Sequence, residues 1–160
     1  MTEILLCRSL RALIKAAVED MVLRGPDGAR CAPEIYSGFL PFRCQGRDGF
    51  PFVVVRPVSS SADDQSISAE VLISIGCFYE VPASSSVEVS PDGYEEALLV
   101  MERIRQELAD LPNGMLESRF ILESPVSMSV PEDQAAPYWQ VDMTTTWRFR
   151  TPVRTNLEVL

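Results

Sequence analysis

Histidine is absent from all 160 residues, and that absence removes more chemistry than any other feature of the chain. Ser-His-Asp and Cys-His nucleophile systems, imidazole-ligated zinc, histidine-ligated haem and histidine pH switches all need a side chain the protein lacks. An enzyme built on this chain would depend on carboxylates, arginine or a backbone oxyanion hole. Lysine is scarce too. Lys15 is the single lysine among 14 cations, set against 23 carboxylates for a formal net charge of −9. That balance disfavours a broad basic surface for nucleic acid. The cysteines, Cys7, Cys31, Cys44 and Cys77, form no C-x-x-C pair for a zinc knuckle or redox motif, and are expected to be buried free thiols. No run of about 18 apolar residues is present, so no membrane partner is expected. The apolar stretch near the N-terminus is broken by Arg8, Arg11 and Lys15 and lacks a small-residue cleavage site, so it does not read as a signal peptide.

At 17.8 kDa the chain suffices for one core burying roughly two thirds of its unfolded surface. With 46% hydrophobic and 23% charged residues and a mean hydropathy of +0.06, it has the composition of a packed soluble domain, not of a disordered or fibrous chain. Residues 1–150 are expected to form that single domain. Residues 151–160 carry no clear pattern and are expected to be a C-terminal tail or arm.

Leu6, Leu10, Leu13, Ile14, Ala17, Val18 and Met21 recur at three- and four-residue spacing, which predicts an amphipathic helix over 3–22 capped by Thr2. Arg8, Arg11, Lys15 and Glu19 mix both signs on its polar face, so it is expected to dock on its own domain rather than on a membrane. Gly25-Pro26-Asp27-Gly28 then predicts a turn. A short strand over Ile35–Leu40 and a buried one over Phe52–Arg56 follow, the second a β-branched run between two prolines. Ser59 to Asp64 reads as a solvated loop. The clearest strand comes next, where Ile67, Ala69, Val71, Ile73, Ile75 and Cys77 alternate with more polar positions.

Residues 80–91 are serine-rich without amphipathic pattern and read as a long loop or arm, a kind of segment that often carries function. Ser90 is placed to cap a second helix, with Pro91 in its first turn and Asp92, Glu95 and Glu96 near its positive end. Tyr94, Ala97, Leu98, Met101, Ile104, Arg105, Leu108 and Leu111 form its stripe, in which only Arg105 is out of character, and Pro112-Asn113-Gly114 stops it. Two short strands are expected on either side of Pro125. Trp139 to Phe149 alternates as a long antiparallel-type strand with one wet face. Strands grouped between helices predict an α+β fold: an antiparallel β-sheet with two α-helices packed on one face.

No constellation in this pattern carries catalysis. Asp63-Asp64 and Glu95-Glu96 are adjacent pairs whose side chains diverge, and they read as a solvated loop and a helix start. Gly46-Arg47-Asp48-Gly49 lacks the spacing of a phosphate cradle. The serines at 84–86 have neither a nucleophile elbow nor an imidazole base. Trp139 and Trp147 read as core or interface aromatics rather than a stacking platform for bases, given the acidic residues around them. No catalytic residue, cofactor or metal is expected.

Several segments, taken in order, have the look of a known family. These are Ile35-Tyr36-Ser37-Gly38-Phe39-Leu40-Pro41, Phe50-Pro51-Phe52-Val53-Val54-Val55-Arg56-Pro57, the strand ending Ile75-Gly76-Cys77-Phe78-Tyr79, the Gly93-Tyr94 helix with Met101-Glu102-Arg103-Ile104-Arg105, and Pro137-Tyr138-Trp139-Gln140-Val141-Asp142-Met143-Thr144-Thr145-Thr146-Trp147. Together they resemble small tail-completion proteins of tailed bacteriophages and prophages, of the tail-terminator type, over roughly residues 35–150. The resemblance implies a structural virion protein, not an enzyme, that caps the tail tube at its final length and offers the surface to which the filled head joins. It implies a homo-oligomeric ring, typically a hexamer, with the tail tube protein and a head-completion or neck protein as partners, placed in the virion tail after assembly in the host cytoplasm. DNA would pass through the ring without specific binding. On this resemblance the candidate assembly interface is Ser84, Ser85, Ser86, Val87, Glu88 and Val89, with Asp63 and Asp64. A neck or head-completion role is the nearest rival. A ligand-binding module holding a small molecule or peptide on the open sheet face or on the Trp139 and Trp147 surface is the runner-up from another class.

Overall fold

In a computed structural model of the chain, residues 2–41, 49–80, 92–134 and 136–152 are described. The elements run α1 (Thr2–Val18), β1 (Leu23–Arg24), β2 (Arg30–Cys31), β3 (Glu34–Ser37), β4 (Phe52–Ala62), β5 (Ser66–Phe78), α2 (Asp92–Ala109), β6 (Met115–Leu116), β7 (Phe120–Ser129) and β8 (Tyr138–Arg150), with a 3-10 turn at Pro112–Gly114 after α2. Six strands form one sheet in the order β3-β4-β5-β8-β7-β6, and β1 and β2 pair as a separate hairpin around the Gly25–Gly28 turn. The fold is α+β. Every pair in the large sheet is antiparallel except β3 with β4, which is parallel, so the sheet is mixed.

Periodicity explains how the layers stack. On β5 and β8 the odd-numbered residues, from Ile67 to Cys77 and from Val141 to Phe149, are buried against the helices. α2 lies over β5 and β8, α1 over β3 and β4, and the helices touch each other on that same face. Leu6, Leu10, Ile14, Ala17 and Val18 of α1 enter the core, while Arg8, Arg11 and Lys15 stay exposed. Each fully buried Leu or Ile stabilises this arrangement by roughly 1.5–3 kcal/mol. Arg103 adds a polar clasp between the helices, donating to the Ala17 carbonyl at 3.4 Å and standing 3.3 Å from Asp20.

Several elements differ from the sequence expectation, each for a physical reason. β3 is parallel to β4, because residues 38–51 give the chain the dozen or so residues needed to return to the same end of the sheet. β4 runs on through Ser59–Ala62, where a solvated loop was expected: those side chains are exposed, but their backbone is laddered to β5 after a bulge between Pro57 and Ser59. Around Pro125 there is one strand, not two, with a register shift between Glu123 and Ser127. α1 ends at Val18, with Thr2 already helical rather than ahead of the helix. Ser90 and Pro91, expected at the start of α2, lie outside the described residues. Val100 joins the buried side of α2, and Arg105 leaves it to pair with Glu102 at 2.7 Å. Of the cysteines expected to be buried, Cys7 and Cys77 are, Cys31 is exposed because the β1–β2 hairpin lies outside the main sheet, and Cys44 lies outside the described residues.

Candidate assembly surfaces

Asp63 and Asp64 form the turn between β4 and β5. Asp63 is engaged within its own turn: its Oδ1 accepts from the backbone N–H groups of Gln65 at 2.8 Å and Ser66 at 2.6 Å, and the Ser66 hydroxyl lies at 3.2 Å from Oδ2. These hydrogen bonds hold the Asp63 carboxyl below its ordinary value. Thr151 closes over the same turn, with its hydroxyl on the Asp63 carbonyl at 3.1 Å and its N–H on the Gln65 carbonyl at 3.2 Å. Asp64 is exposed. Ser84, Ser85, Ser86, Val87, Glu88 and Val89 lie outside the described residues. The turn and Glu80, the last described residue before them, stand at opposite ends of the thirteen-residue β5, which rises about 3.3 Å per residue.

The sheet face without helices is polar over most of its length. Ser74, Thr144 and Thr146 lie on it with Glu70 and Asp142, and Arg148 is 3.2 Å from Glu123. At one end the surface becomes aromatic. Phe50, Phe52, Phe78 and Tyr138 pack with ring centroids 4.9–6.5 Å apart, and Gly76 makes room for them, since a Cβ there would collide with the Phe52 ring.

Both sides of the sheet leave strand edge unpaired. β4 pairs with β3 only over Phe52–Val55, so Arg56–Ala62 has no strand partner on that side among the described residues. β7 pairs with β6 only at Phe120 and Ile121, leaving Leu122–Ser129 open in the same sense. Such edges offer backbone donors and acceptors to another chain. A groove of about 650 Å³ runs between β7 and α2, floored by Leu98, Val126 and Met128 and rimmed by Leu99, Glu95 and Glu102. Leu99 and Met128 are 60% and 51% exposed. Beyond the opposite edge, Phe39 is 72% exposed, with the Arg56 guanidinium 5.2 Å from its ring centroid. Phe39, Leu99 and Met128 escaped the sequence reading. One signal was present: Leu98-Leu99-Val100-Met101 is too long an apolar run for one side of a helix to bury.

A third cluster holds the start of α2. Arg24 of β1 stands 3.6 Å from Asp92 and 3.7 Å from Glu96 and lies over the Tyr79 ring at 4.5 Å. Burial pushes the Glu96 carboxyl up, against the opposing pull of Arg24. Glu96 Oε2 and Trp139 Nε1 are both buried without a hydrogen-bond partner among the described residues. Burial first, then the Glu96 charge, pushes the Cys77 thiol far up, so it stays protonated and is a poor nucleophile. Among the described residues no group of three metal-ligating side chains occurs, and no helix is long and apolar enough to cross a membrane. Trp147 is in the core, where the sequence put it, and Trp139 is half-buried beside Gly93. No family model and no curated protein sequence matches the chain.

Proposed function

We propose that this protein is a structural component of a phage or prophage virion, of the tail-terminator type, which assembles as a ring, caps the tail tube and presents the surface for head joining. The observation that carries the reading is the pair of strand edges, on opposite sides of one sheet, that have no strand partner among the described residues: Arg56–Ala62 of β4 and Leu122–Ser129 of β7. A subunit with two different sticky sides binds its copies head to tail, and such contacts close into rings when the rotation permits. The segment resemblance over 35–150 supports it further, as does a hydroxyl-lined open face on which Glu70, Glu123 and Asp142 are balanced by Arg56, Arg148 and Arg150, suited to a wall past which DNA slides. Electron microscopy of particles lacking this gene tests the proposal. Overlong tails without heads are expected. Tails of normal length without heads would place the protein in the neck instead, and unchanged virions would sink the virion reading. A ligand-binding module is the second reading, favoured by the groove between α2 and β7, whose volume of about 650 Å³ lies in the range of small-molecule sites.

A further inference from the structure

We propose that the groove between α2 and β7 is filled by Phe39 of a second copy of this chain, so that each subunit inserts an aromatic knob into its neighbour and receives one on its other side. The inference rests on the reading of the chain as a self-assembling subunit, but not on tail termination. Knob and groove are matched in chemistry. Phe39 is the most exposed large apolar side chain among the described residues, and the groove is lined by Leu98, Leu99, Val126 and Met128, of which Leu99 and Met128 are themselves more than half exposed. Each leaves apolar surface in water that burial against the other would remove.

Charge matches as well. The knob carries Arg56 beside its ring, and the groove is lined by two carboxylates, Glu95 and Glu102, and one cation, Arg105. Glu102 already holds Arg105 at 2.7 Å, which leaves Glu95 as the carboxylate placed to receive the incoming guanidinium. In a chain of net charge −9, two copies meeting by chance present acid to acid, so an arginine next to the knob also sets which surfaces can meet.

Geometry makes the contact heterologous. β4, β5 and β8 lie between β3 and β7 in the sheet, each step about 4.8 Å, so knob and groove stand on opposite sides of the sheet and one flat partner cannot occupy both. Arg56 belongs to the open sheet face, whereas the groove opens beside α2 on the covered face. Successive subunits therefore overlap like shingles, the β3–β4 side of one lying over the α2–β7 side of the next. Repetition of that step gives a ring or a filament, never a closed two-fold dimer.

Native mass spectrometry and sedimentation equilibrium on the full chain test the contact. Phe39→Ala and Leu99→Glu change exposed side chains, and matching circular dichroism and melting would show that both variants fold. Each alone is expected to weaken self-association by about 10–100-fold. Mixed together they are expected to form a one-to-one heterodimer and nothing larger, because only one intact knob and one intact groove remain between them. Arg56→Glu is expected to weaken assembly, and Arg56→Glu with Glu95→Arg to restore it. A wild-type chain still monomeric at about 1 mM, a Phe39→Ala chain that assembles like wild type, or a mixture without heterodimer would each overturn the proposal. The two readings fail separately. Assembly through this contact with unaltered tails in the gene deletion removes the tail role and keeps the contact, while a terminator phenotype with wild-type assembly of Phe39→Ala does the reverse.

Discussion

Trp147 donates its indole N–H to the Thr145 hydroxyl at 2.8 Å, and Thr145 in turn donates its O–H to the Val71 carbonyl on the neighbouring strand at 3.2 Å. The relay lies wholly in the core: Thr145 is buried among apolar side chains of β5 and β8, directly across from Val71. It explains how a threonine and the polar atom of a tryptophan occupy a dry position on the covered side of the sheet. Thr145→Val keeps the shape and strands the indole N–H without a partner. We expect a loss of about 1–3 kcal/mol in denaturant unfolding with unchanged slope, and Thr145→Ser to recover part of it; a Val variant as stable as wild type would remove the relay from the account.

Gly76 faces Phe52 across the β4–β5 ladder, and a Cβ at 76 would run into the ring. Gly76→Ala is expected to cost about 1–3 kcal/mol through overpacking, and Phe52→Leu in the same chain to recover part of that loss. Thermal melts of the two single variants and the double variant decide it; strictly additive losses would mean that the ring and the glycine do not interact.

The raised carboxyl of Glu96 has a defined pH signature. Its cause is burial, opposed by the Arg24 backbone and guanidinium, so the folded protein holds the Glu96 proton more tightly than the unfolded chain does. This term leaves stability highest below the ordinary value of 4.5 and lowers it as pH rises through the elevated folded value. Glu96→Gln cannot ionise. Its melting temperature relative to wild type is expected to rise as pH increases above 4.5 and to level off once Glu96 is ionised in the folded protein; a difference that shrinks with rising pH would contradict the assignment.

Cys31 is exposed, yet its thiol is pushed up by partial burial and by the charges of Asp27 and Glu34. Thiol labelling near neutral pH, read by peptide mass, is expected to modify Cys31 before Cys7 and Cys77 but severalfold more slowly than a free cysteine. Glu34→Gln should accelerate it. Labelling of buried Cys77 at the same rate in the native protein would count against the described core.

If the open sheet face forms the wall of a ring, its acids Glu70 and Asp142 offset the arginines Arg56 and Arg150 on that face and keep DNA from adhering. Glu70→Gln with Asp142→Asn removes two such charges and leaves the Arg148–Glu123 pair in place. Genome ejection from particles carrying both changes is expected to slow severalfold, measured by DNA release over time, and an unchanged rate would argue that this face does not meet DNA.

Local pattern carried a good deal of this architecture. The three- and four-residue spacing of Leu6, Leu10 and Ile14, and the strict alternation of Ile67 to Cys77 and Val141 to Phe149, place α1, β5 and β8 without reference to anything distant. Pro112-Asn113-Gly114 ends α2 where its turn residues say it must. The serines of 59–61 misled because polarity was read as absence of structure, although an edge strand tolerates exposed side chains when its backbone is paired. For the candidate interface, Asp63 and Asp64 were legible as part of a solvated loop, while the exposure of Phe39, Leu99 and Met128 was not, because exposure is a property of neighbours.

The sequence by itself determined what chemistry the protein can hold, through its missing imidazole, single lysine and excess of acid, and it determined the two helices and the long alternating strands β5 and β8. Tertiary structure alone decided that β3 runs parallel to β4, that β4 and β7 have edges without a strand partner among the described residues on opposite sides, and that an exposed Phe39 and an apolar groove stand at those two sides. The reason is physical. Hydrophobic period is a local quantity, identical for a strand run in either direction, whereas pairing direction, edge and exposure are settled by which non-local contacts the folded chain completes.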